Sequence, residues 1–538
     1  MWRTSRAGEQ TLPSPTVSDP KEEHPATDWL MFALTFGVIL LACVPVFGMG
    51  HHAAGTITAA YDALTQRFGV VYLWYGFGAL IFQIWLATSR YGSVRLGGAD
   101  ARPEFRTLSW LAMMFCAGIG AGLLYWATIE WGYYIDKPPY GFPPRSPEAI
   151  EWAASYGLFH WGPTGWAIQC LPALAIAYAY YQRKVPHLRL STGCSALLPE
   201  GVTGTRGRAL DFLYMLSIIG GAGTSLGLST PMMSAVFADL AGLERNFTLD
   251  VTVVGACVAV YGTSAYLGIE RGFKRMADGA LWLSLLFLLF VLLVGPTLFI
   301  LKMATNGIGL VMQNFLRMNT WTDPVRNSGF VENWTVFYWA WWIAYGPFVG
   351  LFVTRISRGR SLRQIILGML SFGTLGAGIF FLVLGNYAMH LDLAGLLDVT
   401  GIMAKSGEAN AIAAVIASLP LRQVALTIFL LVALVLLATT YDSAAYTLAS
   451  VSTRRLEAGH NPARWNRLFW ACALGIVPVT LMFVEGGIKV VLSATIVVSL
   501  PLIVVGVLLA VSLMRMLRQD AAADGSASPG ITTRNPHS

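Results

Sequence analysis

Apolar runs about as long as a bilayer is thick recur along nearly the whole chain, separated by short polar loops. Twelve are legible, at roughly 30–49, 69–88, 108–134, 152–181, 209–240, 250–269, 278–302, 334–354, 363–388, 423–449, 467–484 and 488–514. About 20 consecutive apolar residues cross the hydrocarbon core as a helix. The pattern therefore predicts an all-α polytopic membrane protein with twelve transmembrane helices. Glycines interrupt the fifth run, where a break is expected. Basic residues orient the spans. They collect after span two (Arg90, Arg95, Arg102, Arg106), four (Arg183, Lys184, Arg189, Arg206, Arg208), six (Arg271, Lys274, Arg275), eight (Arg355, Arg358, Arg360, Arg363) and ten (Arg454, Arg455, Arg464, Arg467). Loops after odd-numbered spans carry far fewer, which places the even loops and both termini in the cytoplasm.

Composition narrows the class. Of 538 residues 55% are hydrophobic and 12% charged, which excludes a soluble globular protein of ordinary make-up. The net charge of +7 follows from the loop arginines, so no nucleic-acid partner is implied. Cys43, Cys116, Cys170, Cys257 and Cys472 fall in apolar spans and Cys194 in a loop, without metal-ligand spacing, so buried free thiols are expected. No Ser/His/Asp set, HExxH or phosphate loop stands out, so catalytic residues and enzyme chemistry are not expected. Residues 1–28 read as a disordered cytoplasmic tail rather than a cleavable signal, and 515–538 as a second tail. Spans one and two read as ordinary lipid-facing helices, and Met49 to His52 is a polar end without an evident purpose.

Five spans carry chemistry. In span eight, WTVFYWAWWIAYGPF places Tyr338, Trp341, Trp342 and Tyr345 on one helical face. Tyr and Trp ordinarily gather at membrane interfaces, and mid-span rings suit an organic cation, whose hydration their π faces partly replace. The competing reading is a tryptophan-rich packing seam. In span three Gly118, Gly120 and Gly122 alternate. Each costs about 1 kcal/mol relative to Ala in a helix interior, so an unwound turn is expected there, its freed carbonyls suited to a small cation; a close-packed glycine face is the alternative. Glu130, later in the same span, is a carboxylate at membrane depth with a functional or a structural role. Span four holds His160 and Trp161-Gly162-Pro163-Thr164-Gly165-Trp166, where an irregular turn would let both tryptophans reach one site. His160 reads as a structural, hydrogen-bonded residue. Gln169, one turn further on, is placed to read a polar tail of a ligand. Thr224 and Ser225 in span five are hydroxyls of the kind that commonly bond back to their helix or to a neighbour, whereas Thr439, Thr440 and Asp442 in span ten supply hard-oxygen groups of the kind that take sodium in secondary transporters, or else a buried structural network.

WTVFYWAWW with RISRGR, the alternating glycines, FHWGP with its second Trp, and GTSLGL together resemble the betaine/choline/carnitine transporter family over essentially all twelve spans. The resemblance implies a LeuT-type fold with two inverted five-helix repeats, spans three to seven (107–303) and eight to twelve (334–514). Spans one and two (29–106) lie outside them, and a loop at 304–333 carries an amphipathic interfacial helix at about Asn306 to Met318. It also implies a homotrimer in the bacterial inner membrane, with an aromatic box at Tyr133, Trp161, Trp166, Trp341, Trp342 and Tyr345 and a peripheral substrate position at Trp334. The substrate would be a quaternary-ammonium or dimethylsulfonium solute.

Coupling divides the family. Tyr345 stands where sodium-coupled betaine carriers have Trp, in which the chain is similar to the sodium-independent carnitine/butyrobetaine antiporter. That antiporter replaces the sodium by an arginine where this chain has Ala280, and it lacks the paired hydroxyls kept here as Thr439 and Thr440. The resemblance places sodium at the carbonyls of Cys116 and Ile119 with Thr439 and Thr440, and a second ion near Phe348, Thr224 and Ser225. Two cation-site features against one box substitution favour sodium symport, with no other cofactor; a sensor or an intramembrane enzyme are remote alternatives. The C-terminal tail is too short and sparsely charged for strong osmosensing.

Overall fold

The computed structural model describes residues 26–49, 52–98, 100–267, 270–454, 461–484 and 488–526. The expected tails at 1–25 and 527–538, Gly50 and His51, Arg455, and the side chains of Cys116, Arg271, Lys274 and Arg275 lie outside what is described. Among the described residues there is no strand, only isolated bridges at Thr27 with Thr453 and Arg95 with Ser361.

The helices follow in order: α1 (Trp29–Met49), α2 (Ala53–Thr88), α3 (Thr107–Gly118), α4 (Gly122–Asp136), α5 (Pro147–His160), α6 (Pro163–Tyr181), α7 (Leu190–Gly193), α8 (Thr205–Ala241), α9 (Phe247–Leu267), α10 (Glu270–Val294) and α11 (Thr297–Thr320). Then come α12 (Val336–Ile356), α13 (Leu362–Leu367), α14 (Thr374–Phe380), α15 (Asn386–Leu393), α16 (Val399–Ser406), α17 (Glu408–Ala417), α18 (Arg422–Val451), α19 (Arg464–Phe483) and α20 (Ile488–Ser526). A π turn at Val331–Thr335 leads into α12, and π turns at Gly368–Gly373 and Phe381–Gly385 join α13, α14 and α15 into one path. Among the described residues nine helices are long and apolar enough to cross a membrane, and a tenth if the pair Gly279–Val294 and Thr297–Thr320, bent by 113°, is one span. The runs expected as spans three and four are each divided in two, α3 with α4 and α5 with α6. This is a multi-pass membrane protein; the amphipathic stretch expected from Asn306 to Met318 lies within the longer α11.

Local chemistry sets the ends. Ser146 caps α5 by accepting from the Ala149 N–H at 3.2 Å, with Pro147 in the first turn. Ser361 and Gln364 form a reciprocal capping box on α13.

Several expectations need correction. Span five does not break: α8 is continuous through its glycines, which serve close packing. A Cβ on Gly220 would meet Val498 at 2.7 Å, and one on Gly223 would meet Val477 at 2.9 Å. Span two is not simply lipid-facing, for the Gln83 amide donates to the Ala167 carbonyl at 2.6 Å and Tyr72 bonds Ser499 at 2.8 Å. The second tail does not begin at 515, because α20 runs to Ser526, held where Arg183 and the Tyr178 hydroxyl donate to Asp520 at 3.0 and 2.6 Å. The first tail is docked at its end, with the Asp28 N–H donating to the Ser452 carbonyl at 2.7 Å and Asp28 paired with Arg208 at 2.8 Å. Cys43, Cys170, Cys194 and Cys257 are buried free thiols as expected, but Cys472 faces outward. In its loop the Cys194 thiol is pushed up to about 12, first by burial and then by the Asp211 carboxylate, so it stays protonated and inert at neutral pH.

The core centres on α12 and α6. Nearly every residue of α12 is buried, as is the run Thr164–Ala179 of α6, which fits helices apolar on all sides. Their backbones touch: a Cβ on Gly350 would stand 2.8 Å from Pro172 and 2.9 Å from the Ala173 nitrogen. Filling that contact forces the helices apart. Gly350→Val is expected to cost about 1–3 kcal/mol of overpacking and to lower the melting temperature in detergent, whereas Gly309→Ala on α11, where a Cβ meets nothing within 4 Å, leaves it unchanged or slightly raised.

Candidate functional site

Two broken helices and three intact ones meet at one place. Between α3 and α4 the chain is extended at Ile119, with φ −126° and ψ 139°, and the helix resumes at Gly122. The break frees the last carbonyls of α3, while the turn takes up N–H groups of α4, Leu123 donating to the Gly120 carbonyl and Leu124 to that of Ala121, both at 3.1 Å. Each glycine of the alternating set has a different nearest neighbour, and Gly120 and Gly122 share Ser225 besides. A Cβ at Gly118 would sit 2.5 Å from the Trp166 ring, one at Gly120 3.5 Å from Thr440 Oγ1 and 3.6 Å from Ser225 Oγ, and one at Gly122 3.1 Å from Trp341. The unwound turn is thus pressed against α6, α8, α12 and α18 at once.

The second break lies at Trp161 and Gly162, as Pro163 and the flanking glycines led one to expect. It leaves the His160 carbonyl free to accept from Trp342 Nε1 at 3.0 Å, so the interruption of one helix satisfies the indole of another. Gly165 makes room for that indole, since a Cβ there would come within 2.7 Å of it.

Trp161, Trp341, Trp342 and Tyr345 line one cavity, together with Gly118, Gly120, Gln169 and Ser225. Trp161 stands edge-on to Trp341 at 5.6 Å and to Trp342 at 5.3 Å. About 20 Å³ inside is available to the centre of a water molecule, more than the roughly 10–15 Å³ that one water needs. The rings thus pack edge to face on one another and leave beside them a partly open space of about one water. The lining holds no charged side chain.

Other expected site residues stand apart. Trp166 lies behind Trp342, centroids 5.6 Å apart, and does not line the cavity. Tyr133 pairs with Trp334 at 4.7 Å and donates to Glu408 of α17 at 2.6 Å, in an aromatic cluster with Trp126 that reaches Trp341 through Phe337 but does not line the cavity. Tyr338 shares the face of Trp341 but does not line the cavity: its ring stacks on His160 at 4.5 Å and its hydroxyl donates to Glu130. Glu130, fully buried, also accepts from the Tyr134 hydroxyl at 2.6 Å and lies 3.2 Å from His160 Nδ1, while His160 Nε2 bonds the Thr335 hydroxyl at 3.1 Å. This network ties α4, α5 and the start of α12 together. Its members other than Glu130 and His160 were not legible as a set, because their partners come from different helices.

On the cation side, Thr440 and Ser225 approach the unwound turn and supply hard oxygens near the released end of α3, where Cys116 and Ile119 sit. Thr439 and Thr440 donate back to the Val435 and Leu436 carbonyls, both at 2.9 Å, which leaves their oxygen lone pairs to accept. Asp442 is half-buried two residues on. The second-ion group is divided: Thr224 bonds Thr495 at 2.6 Å, Ser225 lines the cavity, and Phe348 lies edge-on to Tyr345 at 5.4 Å.

A multi-pass membrane protein with an aromatic pocket beside a broken helix has the construction of a membrane transporter. The sequence pattern of the BCCT, betaine/carnitine/choline family transporter, matches residues 30–522, and the chain belongs to that family. It is similar to the uncharacterized transporter YeaV of Escherichia coli strain K12, 37% identical over 439 residues, covering 82% of this chain and 91% of that protein. It is also similar to a carnitine transporter of Acinetobacter baumannii, 34% identical over 487 residues, covering 90% and 88% respectively. The family consists of transporters and not enzymes.

Removing Glu130 strands the hydroxyls and imidazole around it, at about 1–3 kcal/mol for each group left unpaired. Glu130→Ala is expected to melt well below Glu130→Gln, which retains an acceptor; equal melting temperatures would show that the network carries no such weight.

Proposed function

We propose that the protein imports a quaternary-ammonium or related methylated onium solute by sodium symport, and that the cavity between α6 and α12 is its substrate site. The observation that carries the reading is that Trp161, Trp341, Trp342 and Tyr345 line one pocket at the unwound turn. Ring faces stabilise a methylated cation by about 0.5–1 kcal/mol each when exposed and about 2 or more when desolvated, without a buried carboxylate. The Acinetobacter relative's name supports carnitine among the candidate solutes, and Tyr345 points the same way.

Sodium would take hard oxygens at the unwound turn, from Thr440 with Thr439 and the carbonyls of Cys116 and Ile119, a donor set that suits it. Binding there neutralises dipoles on α3 and α18 and holds the two helices together, which assembles the cage; Phe348, Thr224 and Ser225 frame a second, weaker candidate. Trp334 and Tyr133 form an outer aromatic cluster suited to a solute on its way in. Rocking of one helix set against another then exposes the cavity to the cytoplasm, and the inward sodium gradient gives the cycle its direction. The same reading takes twelve spans in two inverted five-helix repeats, both termini cytoplasmic in the inner membrane of a bacterium. It also takes a homotrimer, to which the exposed apolar stripe Leu301, Ile308, Met312 and Leu316 of α11 offers a contact surface.

The second reading, sodium-independent exchange, is favoured by Tyr345 alone. Proteoliposomes separate the two. Symport predicts that uptake of radiolabelled carnitine needs an inward sodium gradient and that Thr440→Ala raises the sodium concentration for half-maximal uptake; uptake in sodium-free buffer driven by internal carnitine would establish exchange. Replacing both Trp341 and Trp342 by Leu is expected to weaken carnitine binding at least about tenfold, and intact affinity would overturn the substrate site.

A further inference from the structure

The break between α3 and α4 has two faces, and only one of them has a use so far. At Gly120 it meets Thr440 and Ser225, where the proposed symport takes its sodium. At Gly118 it meets α6 instead. A Cβ there would stand 2.9 Å from Gln169 Oε1, beside the Trp166 ring. Gln169 is 1% exposed, yet that oxygen has no hydrogen-bond partner. Buried acceptors are nearly always paired, and a Leu or Met at this position would have closed the wall at no polar cost.

Its position says what the oxygen is suited to hold. Gly118 is the last residue of the twelve-residue α3, so the amide lies at a helix end where released carbonyls gather partial negative charge. A buried oxygen set against that end is repelled unless something positive lies between them. The pocket that Gln169 lines with Gly118, Gly120 and Ser225 has no charged side chain to supply it. Its space of about 20 Å³ takes one water-sized particle. Carbonyls at a helix C-terminal end and a side-chain amide oxygen are the hard ligands that a small alkali cation takes in place of water. The rival occupant is a water bridging the amide to Trp341 Nε1, which is also unpaired. Such a water satisfies two side chains but brings no charge to the helix end.

We propose that Gln169 Oε1 and the released end of α3 form a second sodium site, on the α6 side of the unwound turn and apart from Thr439 and Thr440. The site deepens the sodium-symport reading and rests on it. An ion here ties α3 to α6, as the ion beside Thr440 ties α3 to α18, so the broken helix is clamped on both faces only when two ions are bound.

The test follows the melting temperature of purified full-length protein against sodium chloride, with potassium chloride holding the ionic strength constant and no organic solute present. Wild type is expected to rise and saturate, as a protein does on binding a ligand in its folded state. Gln169→Met, similar in volume, is expected to melt at or above wild type without sodium, because the stranded acceptor is gone, and to lose about half of the sodium-induced rise. Gln169→Glu is expected to lower the half-saturating sodium concentration at least about threefold; it decides alone should Gln169→Met not fold. In proteoliposomes the Hill coefficient for sodium activation of carnitine uptake is expected to fall from about two to about one in Gln169→Met. A sodium response unchanged in both variants overturns the site and leaves symport standing through Thr440. So does a Gln169→Met protein that melts below wild type with its full sodium response, the signature of a bridging water. If wild type shows no sodium response at all, the symport reading falls and the site with it.

Discussion

The close approach of α6 and α12 is the constraint on which the rest depends. Two helices bring their backbones into contact only where side chains are absent, and Gly346, Gly350 and Gly165 supply that absence against Gln169, Pro172 and Trp342. At that separation the tryptophans of one helix must stand against the break in the other. The Trp342 indole finds the His160 carbonyl there, and Trp161 turns edge-on to Trp341 and Trp342. Without the contact the rings would have nothing to enclose.

The two helix breaks serve each other in the same way. Irregular backbone at membrane depth survives only where it is buried or lines a cavity. The turn at Ile119 is covered by Trp166, Trp341, Ser225 and Thr440, so its exposed amides and carbonyls face polar hydroxyls and rings instead of lipid. One local device thereby supplies a wall of the cavity and a set of hard oxygens beside it, which is how an ion and an organic solute come to depend on the same few residues. The Glu130 network sits a turn or two away as a brace. It fixes Tyr338 to α4 and α5, and so sets the register in which α12 presents Trp341 and Trp342.

Much of this was legible in the sequence, because glycine, proline and tryptophan act locally. The breaks at 119–121 and 161–162 follow from the backbone costs of Gly and Pro, whatever surrounds them. Trp161, Trp341, Trp342 and Tyr345 follow from spacing and from the oddity of mid-span rings. What failed depended on neighbours. The glycines of α8 have the same low propensity as those of the broken segment, and only the proximity of Val498 and Val477 turns them into packing contacts within a straight helix. Tyr338 shares a face with Trp341, but a carboxylate from another helix captures its hydroxyl. Trp166 and Gln169 are one turn apart on α6; docking alone decides that the amide reaches the void and the indole lies behind it. The extension of α20 past residue 515 is likewise written in Arg183 and Tyr178, far away in the chain.

The account stands on a methylated head group lying among the rings of the α5–α6 break and of α12. Its most direct measurement is diffraction from crystals grown with an arsenic-centred betaine, whose arsenic scatters anomalously at the position of the ammonium nitrogen. The account predicts one anomalous peak per chain, between the rings of Trp161, Trp341, Trp342 and Tyr345. A peak confined to the Tyr133 and Trp334 cluster, or none at a saturating concentration, would contradict it.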